Sequence, residues 1–557
     1  AIETTISLLK NGHVVAVKGL GGFHLVVDAE NTAAVETLRK RKHREEKPLA
    51  VMSGDIERVR QFALLGKENE VLLQSRQRPI VLLEKKKDYA LAGGVSPKNR
   101  TVGVMLPYTP LHYLLVKDHF TALVMTSGNL SEEPIAIDNT DAFDRLRDIA
   151  DYFLIHDRDI YLRSDDSVLR IVDSKQRFLR RSRGYVPAPI FLKNRLKPIL
   201  ACGAELKNTV CLTRETHAFL SQHIGDLENL ATYEFFEMTI AHLKRILSIE
   251  PEIIAHDMHP DYLSTRYAAE QNRMVKVDVQ HHHAHIVSCM AENHVEDPVI
   301  GLAFDGTGYG SDGGLWGGEV LIARLDSFER AAHLAYTPMP GGAAAIKEPW
   351  RMAVAYLYGA YGKDFVNRRL PFLDKLNESK RSIMVEMMEK GINSPRTSSL
   401  GRFFDGIAAM LGIRSHVAFE GQAAMELEML AETSAKDIYE YAWSSEEVIQ
   451  IDVRPIITGV VGDIERSVPL PTVSGKFQAT LMAMFTDLCQ VIGKKTGLSQ
   501  VALSGGCFQN AILLAGLSNR LGERGFDVLT HEKVPANDGG IALGQAVIAD
   551  AVVRRTG

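Results

Sequence analysis

Four histidines stand within five consecutive positions near the middle of the chain: His281, His282, His283 and His285. Residues four apart on an α-helix lie on one face, so His281 and His285 could bind one metal ion. Imidazole nitrogen is a common ligand of zinc and iron. His282 and His285, three apart, form a second possible pair. The same spacing also occurs by chance on polar helix faces, so the metal interpretation depends on further ligands.

Two aspartates could complete such a site. Asp305 follows the apolar stretch Val299–Phe304, which is predicted to form a buried strand, and Asp538 lies in the glycine turn that opens the last predicted helix. Alternatively, Asp305 is only a turn residue and Asp538 only a helix N-cap. Two carboxylates beside two imidazoles suit Fe2+ or Zn2+ with coordination positions left open. The predicted ligands are His281, His285, Asp305 and Asp538, with His282 and His283 beside the site or facing the substrate.

Four glycine-containing turns lie beside predicted strands or helix starts in the same part of the chain. They occur within 199–209, 305–310, 504–510 and 537–540. Their spacing matches neither a Rossmann fingerprint nor a Walker A loop. Backbone amides in such turns can surround a phosphate, and the plan is similar to that of the actin, sugar-kinase and Hsp70 superfamily, which binds ATP between two lobes. The candidate nucleotide contacts here are Lys207, Asn208, Gly306, Thr307, Gly308, Glu420, Gly505, Gly506 and Asn510, although Glu420 could also only cap a helix.

A second group of candidate phosphate-binding residues lies in the first third of the chain. Lys18 precedes a glycine-rich turn, the run 39–44 is basic, and a second basic cluster follows at 180–183. Guanidinium and ammonium groups bind phosphate, but cations at a helix end can also be a solvated face, and nuclear localisation is a third reading. The candidate nucleotide contacts are Lys18, Arg39, Lys40, Arg41, Lys47, Ser127, Asn129, Arg181 and Arg183, and the catalytic candidates of the whole chain are Lys18, Arg39, Arg41, His281 and His285.

The elements that must position these residues form an α/β chain of two domains. Short apolar segments predict buried strands, and longer amphipathic segments predict helices, including Thr32–Arg44 and Asp141–Ala150. The proline-bearing stretch Gly184–Ile190 reads as a linker. We therefore predict an α/β domain over 1–190 and a two-lobed domain over 191–557. The predicted strands of the first domain are Val14–Val17, Leu49–Met52, Ile80–Leu83, Val102–Leu106 and Leu123–Thr126.

Composition excludes several classes of protein. A chain of 557 residues is too long for one core and should hold about two to four domains. Its net charge of −5 disfavours a nucleic-acid partner. Five scattered cysteines without a C-x-x-C pair favour a reducing, cytoplasmic setting. The absence of a run of about 18 apolar residues argues against a membrane span.

Several ordered motifs resemble a known family. The segments KGLGGFHL, KRKHREEKPLAVM, LPYTPLHYLL and TSGNLSEEPI resemble the YrdC-like fold over 1–190. The segments VQHHHAH, FDGTGYG, SGGCFQN and NDGG resemble the TsaD-like, carbamoyl-transfer ATPase fold. Their order in one chain, together with HPDYLST, EPWRMA and FEGQAAMELE, resembles the HypF family, the carbamoyltransferases of [NiFe]-hydrogenase maturation.

The resemblance implies an ATP-dependent carbamoyltransferase with two linked sites. Carbamate derived from carbamoyl phosphate would react with ATP and Mg2+ in the first domain, where Lys18, Arg39 and Arg41 offset phosphate charge. The carbamoyl group would then pass to the C-terminal cysteine of a HypE-type maturation protein at an Fe2+ or Zn2+ site in the second domain. Full-length members also carry an acylphosphatase-like domain and a zinc-finger region. Their motifs are not in this sequence, so we expect a truncated chain.

Alternatives from other classes remain at this point. The same two modules on separate chains serve tRNA threonylcarbamoyladenosine synthesis, and a small-molecule O-carbamoyltransferase would differ only in its acceptor. An ATP-switched interaction protein would use the glycine turns without needing the histidines and aspartates.

Overall fold

The computed structural model describes residues 1–130, 133–434 and 437–556. The first body is one mixed sheet with strands in the spatial order β7-β1-β2-β6-β3-β5-β4-β8-β9 and helices on its faces. Its strands are β1 (Val15–Lys18), β2 (Phe23–Asp28), β3 (Ala50–Met52), β4 (Ile80–Glu84), β5 (Thr101–Met105), β6 (Leu123–Ser127), β7 (Tyr152–Leu154), β8 (Val168–Val172) and β9 (Lys175–Arg180). Its helices are α1 (Ile2–Lys10), α2 (Thr32–Arg41), α3 (Ile56–Phe62), α4 (Lys67–Gln74), α5 (Pro110–Val116) and α6 (Asn139–Leu146).

The predicted strands of this body are all present to within one or two residues at each end, because their apolar runs are buried between helices. Helix α2 ends at Arg41, three residues before the predicted end. The chain turns there because His43 has a φ of 50° and the Arg39 guanidinium bonds the carbonyls of the loop that follows. Ser131 and Glu132 of the TSGNLSEEPI segment lie outside the described residues.

The second body contains two further sheets. The smaller one has the order β10-β12-β11-β13-β14, and the larger follows β20-β21-β17-β16-β15-β22-β23, with β18 and β19 off this path. The smaller sheet is built from β10 (Ile190–Leu196), β11 (Ile199–Ala201), β12 (Cys211–Leu220), β13 (Ile253–Asp257) and β14 (Val275–Val279). The larger one is built from β15 (Val299–Tyr309), β16 (Leu315–Ala323), β17 (Phe328–Leu334), β18 (Thr337–Pro338), β19 (Arg396–Thr397), β20 (Ala442–Trp443), β21 (Ile449–Asp452), β22 (Gln500–Ser504) and β23 (Asp527–Leu529).

Helices of the second body cover these sheets and fill the space between them. They are α7 (Leu230–Leu247), α8 (Leu263–Glu270), α9 (His281–Glu292), α10 (Ala344–Lys347), α11 (Trp350–Tyr361), α12 (Pro371–Asp374), α13 (Glu378–Lys390), α14 (Leu400–Met410), α15 (Gln422–Leu430), α16 (Arg454–Glu465), α17 (Leu470–Thr496), α18 (Ala511–Glu523) and α19 (Ile541–Thr556).

Helices α9 and α19 share one apolar core with residues of both sheets. They pack so closely that a Cβ at Gly544 would overlap the Ala284 carbonyl oxygen. The glycine at position 544 therefore allows α9, which carries the histidines, to pack closely against α19.

The hairpin of β8 and β9 joins the first body to the second. Arg170 donates to the Gln509 carbonyl over 3.0 Å, and Arg177 donates to the Thr530 hydroxyl over 2.8 Å. Strand β9 ends at Arg180 and β10 begins at Ile190, while the domain boundary at 190 stays a prediction. In the described ranges no helix is both long and apolar enough to cross a membrane.

Candidate metal and nucleotide site

Helix α9 carries the four histidines, as the sequence predicts. Gln280 is its N-cap and accepts a hydrogen bond from the His283 N–H over 2.8 Å. Every residue from His281 to Glu292 is buried. A helix with no solvent face holds its first-turn side chains in fixed directions, so the histidines point into the protein and not into water.

His281, His285, Asp305 and Asp538 form a compact group whose ligand atoms all lie within 4.8 Å of one another. His285 Nε2 lies 3.1 Å from Asp305 Oδ2 and 3.6 Å from Asp538 Oδ1. His281 Nε2 lies 3.4 Å and 3.9 Å from the same two atoms. The fold thus brings together the four residues named from the sequence, two nitrogens and two carboxylate oxygens around one point.

The donor set fits a divalent metal. The buried Nε2 of His281 makes no hydrogen bond to any described residue, and buried polar atoms in native proteins normally have a partner. Two imidazoles and two carboxylates are ligands that both Zn2+ and Fe2+ accept.

Asp257 orients the first of these histidines. Its carboxylate Oδ2 lies 2.7 Å from His281 Nδ1, and both side chains are buried. Burial by itself lowers the pKa of His281, but the Asp257 carboxylate raises it and the net pKa is well above the ordinary value. A carboxylate on the far nitrogen fixes the ring and its tautomer, as is usual for histidine ligands of metals. Sequence reasoning did not find Asp257.

Backbone amides hold Asp305. Its Oδ1 accepts from the Gly306 N–H over 2.7 Å and from the Gly506 N–H over 3.2 Å, which leaves Oδ2 facing the histidines. A Cβ at Gly506 would lie 2.7 Å from Oδ1, so glycine is needed for this approach. Burial raises the pKa of Asp305, but the neighbouring imidazoles of His281 and His285 lower it well below its ordinary range.

The turn that carries Asp538 is fixed from two sides. Ser288 of α9 donates its hydroxyl to the Gly540 carbonyl over 2.8 Å. Thr209 donates to the Gly539 carbonyl over 3.0 Å. The two segments that carry the candidate ligands, α9 and the 537–540 turn, are therefore held directly to each other.

The other two histidines lie outside the ligand group. His283 Nε2 lies 2.7 Å from the Arg324 carbonyl oxygen, away from the aspartates. His282 is buried beside Trp316, with ring centroids 6.0 Å apart. The carboxylates of Asp305 and Asp538 therefore lie beside His281 and His285, and not beside the alternative pair of His282 and His285.

Several candidate nucleotide residues of the second body border this group. Lys207 is paired with Glu420. Burial lowers the pKa of Lys207, but the carboxylates of Glu420 and Asp538 raise it above its ordinary value. Asn208 instead donates its amide to the carbonyls of Cys202 and Ala204, which shapes the turn from within.

The remaining candidates of the second body lie in the turns themselves. Asn510 caps α18 and donates to Gln478 over 2.9 Å. Gly308 approaches the histidines so closely that a Cβ there would lie 2.5 Å from His282 Cε1. Gly306, Thr307 and Gly308 lie within β15, so the turn predicted at 305–310 is instead a stretch of strand in which the pairing with β16 shifts register between Phe304 and Gly308. This stretch and the turn with Gly505 and Gly506 lie beside Asp305.

In the first body, all four candidate arginines make hydrogen bonds or ion pairs with other residues of the protein. Arg39 donates to backbone carbonyls of Gly94, Val95, Arg44, Glu45 and Lys47. Arg41 binds Asp151 over 2.8 Å, Arg181 binds the Tyr185 and Ala188 carbonyls, and Arg183 binds Asp166 over 2.6 Å. These contacts shape the loops around the predicted pocket, and their role toward a nucleotide stays a prediction.

The candidate lysines divide differently. Lys18 is buried and donates to the His156 carbonyl over 3.2 Å, while Lys40 is exposed. Lys42, which the sequence placed only within the basic run, donates to the Ser127 carbonyl and to both oxygens of Asn129. Burial lowers the pKa of Lys42 to about 7.

Basic residues of the two bodies adjoin each other. Lys47 and Arg180 of the first body lie near His223 and Lys207 of the second. Burial, followed by the charges of Arg180, Lys207 and Lys47, holds the pKa of His223 well below its ordinary value. Although the Lys47 side chain reaches solvent, desolvation by the surrounding protein and the charges of Arg44 and Arg180 lower its pKa to about 8. Lys47, Arg180 and Lys207 are therefore close enough for their charges to act on one another across the contact between the two bodies.

Three family models match the chain. The model described as "Carbamoyltransferase, Kae1-like Domain, second subdomain" matches residues 301–545, and the "HypF Kae1-like domain" model matches 194–292. The Sua5, YciO and YrdC model, described as "Telomere recombination", matches 7–182. The fold and the site therefore define a class of protein in which a YrdC-like body is joined to a Kae1-like body.

Relatives and solved structures agree. The chain is 43% identical to carbamoyltransferase HypF of Synechocystis over 98% of this chain and 72% of that protein, and 36% identical to probable carbamoyltransferase HypF of Methanocaldococcus jannaschii over 98% and 72%. A crystal structure of full-length HypF in the phosphate- and nucleotide-bound form matches with a TM-score of 0.96 and 46% identity, over 99% of this chain and 86% of that one. The structure of T. kodakarensis HypF matches with a TM-score of 0.93 and 36% identity, over 100% and 74%. The chain belongs to the HypF family of carbamoyltransferases.

Proposed function

We propose that the chain is an ATP-dependent carbamoyltransferase of [NiFe]-hydrogenase maturation, with a domain over 1–190 that activates the carbamoyl group and a domain over 191–557 that transfers it. The observation that carries the proposal is the convergence of His281, His285, Asp305 and Asp538 on one point, beside glycine turns, in a body that the YrdC-like body contacts directly. The family membership does not favour the tRNA-modifying alternative.

In the first site, an oxygen of carbamate, derived from carbamoyl phosphate, attacks the α-phosphorus of ATP. Pyrophosphate leaves with Mg2+, and carbamoyl-adenylate forms. Lys18, Lys47 and the basic run 39–42 supply positive charge, and the Ser127–Asn129 segment, held by Lys42, orients the nucleotide. This is catalysis by positioning and charge stabilisation. The nucleotide contacts proposed for this site are Lys18, Arg39, Lys40, Arg41, Lys47, Ser127, Asn129, Arg181 and Arg183.

The basic stretch of Lys47, Arg180 and Lys207 offers the anionic adenylate a route to the second site. An enclosed route limits hydrolysis of a labile mixed anhydride. We therefore propose that the two domains are fused in one chain so that the carbamoyl-adenylate passes between them without entering the solvent.

In the second site, the cysteine thiolate of a HypE-type partner attacks the carbamoyl carbon, a thiocarbamate forms and AMP leaves. His281, His285, Asp305 and Asp538 would hold Fe2+ or Zn2+, which when bound supplies Lewis-acid chemistry. Asp257 orients His281, and the glycine turns and Lys207 hold phosphate. All five cysteines are free, which supports the predicted reducing cytoplasm.

Two readouts on one preparation test the proposal. The chain is mixed with ATP, Mg2+, ammonium carbamate and a HypE-type protein, and pyrophosphate release and carbamoylated partner are both measured. Replacing His281 and His285 by alanine is expected to abolish carbamoyl transfer while pyrophosphate release continues. Unchanged transfer with both histidines replaced would contradict the proposal, and circular dichroism checks that the variant is folded.

A further inference from the structure

Arg402 lies beside the proposed metal and phosphate site, although no role has been assigned to it above. Helix α14 begins against Asp305 and Gly306 of β15, because its N-cap Ser399 donates its hydroxyl to both of their carbonyls, over 2.8 and 2.6 Å. A Cβ at Gly401 would lie 2.8 Å from Gly306 Cα. This close approach brings the first turn of α14 onto the stretch that is proposed to hold phosphate.

The Arg402 guanidinium is buried with hydrogen-bond donors to spare. The residue is 5% exposed. Its Nη2 pairs with Asp405 Oδ2 over 2.9 Å, but Nε and Nη1 bond no residue in the part of the chain that the structure describes. Buried charged donors without an acceptor are strongly unfavourable, so the position calls for an oxygen-bearing ligand.

The surroundings show where the Arg402 guanidinium lies. A Cβ placed on Gly306 would lie 3.6 Å from Arg402 Nη2. The charges of Asp305, Arg402 and Asp405 all act on the Cys507 thiol, whose pKa burial already raises. The guanidinium therefore lies between the end of β15 and the 505–509 turn, whose Gly306 and Gly506 amides bind the Asp305 carboxylate.

We infer that Arg402 is an anion-binding residue of the second site, whose Nε–H and Nη1–H groups bind a phosphoryl oxygen of an adenine nucleotide. The inference rests on the proposed function and assigns the ligand's phosphate to a particular side chain. Asp405 holds Nη2, so that the other two donors keep a fixed direction. The shared chemistry is a phosphoryl oxyanion, carried either by ATP or by the adenylate that arrives from the first site.

Photolabelling separates this site from the first one. The full chain is titrated with radiolabelled 8-azido-ATP, irradiated and digested, and labelled peptides are assigned to the first or the second body. In the Arg402→Gln variant, the concentration that half-saturates second-body labelling is expected to rise about 10- to 100-fold, as for loss of charge-assisted hydrogen bonds. Labelling of first-body peptides should not change and serves as the internal control.

Two further variants keep the test decisive. Arg402→Lys retains charge but not the planar fork, so its half-saturating concentration should fall between those of the wild type and Arg402→Gln, and it decides the matter if Arg402→Gln does not fold. Arg454→Gln removes an exposed arginine that also pairs with one aspartate and should label like the wild type. Unlabelled AMP, which carries the single phosphate of the adenylate, and unlabelled ATP are each used to compete with the 8-azido-ATP label. The better competitor for second-body labelling identifies the source of the bound phosphate.

The outcomes separate this inference from the proposed function. Equal half-saturation of second-body labelling in the wild type and a folded Arg402 variant would overturn the role of Arg402 alone, provided that the histidine double variant still loses transfer. A wild-type chain whose second body is never labelled would overturn both.

Discussion

The side-chain amide of Asn537 donates a hydrogen bond to the backbone carbonyl of Leu179 over 3.0 Å. Leu179 belongs to β9 of the YrdC-like body, and Asn537 precedes the metal-facing Asp538. Through its Oδ1, Asn537 also accepts from the Gly539 N–H over 3.0 Å. One side chain therefore connects the first body to the turn that carries Asp538 of the proposed metal site.

Asn537→Asp tests this connection. The substitution keeps an oxygen to accept from Gly539 but replaces the N–H donor by an acceptor that repels the Leu179 carbonyl. We expect about 10-fold weaker metal binding, by analogy with changes to residues that support metal ligands, and fewer carbamoyl transfers per pyrophosphate released. Gln176→Ala, which loses only a contact to the Glu532 carbonyl, is the matched control. Equal ratios of transfer to pyrophosphate in both variants would refute the connection.

Asp257→Asn should weaken metal binding about 10- to 100-fold, because the neutral amide no longer supports His281 electrostatically. Zinc affinity measured by competition with a chromogenic chelator checks this. Asp261→Asn, four residues later in an exposed ion pair with Arg266, should bind zinc like the wild type. A wild-type affinity in Asp257→Asn would show that His281 needs no carboxylate behind it.

Lys42 should make stability depend on pH. Its pKa is about 7 in the folded chain and 10.5 as the ordinary value, so the unfolded chain binds more protons between about pH 7 and 10.5, and stability rises with pH across that window. In Lys42→Met this contribution disappears, and the thermal midpoint should rise less over the window. Lys40→Met, on the exposed face of α2, should keep the wild-type dependence. Parallel curves for wild type and Lys42→Met would argue that Lys42 is fully charged in the fold.

Gly544→Ala should destabilise the protein and loosen the metal site, because the new methyl group overlaps the Ala284 carbonyl and pushes α19 away from α9. Overpacking of this kind typically costs about 1–3 kcal/mol. Gly522→Ala in α18 is the control, since its Cβ would meet nothing within 4 Å, and it should be neutral or stabilising by up to about 1 kcal/mol. Thermal unfolding and bound zinc are measured for both variants. A Gly544→Ala protein as stable as the control would contradict the packing argument.

The four candidate metal ligands could be predicted from the sequence, because each lies at a position that local sequence patterns reveal. A four-residue spacing on a helix and carboxylates at a strand end and a helix start are visible without tertiary structure. Asp257 was not predictable in this way. Its place depends on the parallel pairing of β13 with β14, in which Asp257 lies opposite Val279, two residues before His281.

For the basic run 39–44, the sequence could not show which partners the side chains bind. Sequence composition indicates that Arg39 could bind phosphate, but only the path of the loop after α2 shows that backbone carbonyls meet its guanidinium. Arg402 gave no signal beyond its position near a helix start. Its significance arises from burial and from donors without an acceptor, and neither can be read from residue types.

The complete burial of α9 should affect two rates, those of amide hydrogen exchange and of metal uptake. Amide hydrogens of a helix with no solvent face exchange only when a large unit of structure opens. The histidines should therefore keep their arrangement when an ion is removed, and the rate of metal uptake would be limited by how fast the ion reaches these buried side chains and not by refolding. Slow, unchanged hydrogen exchange along α9 before and after chelation is the signature of such a preformed site.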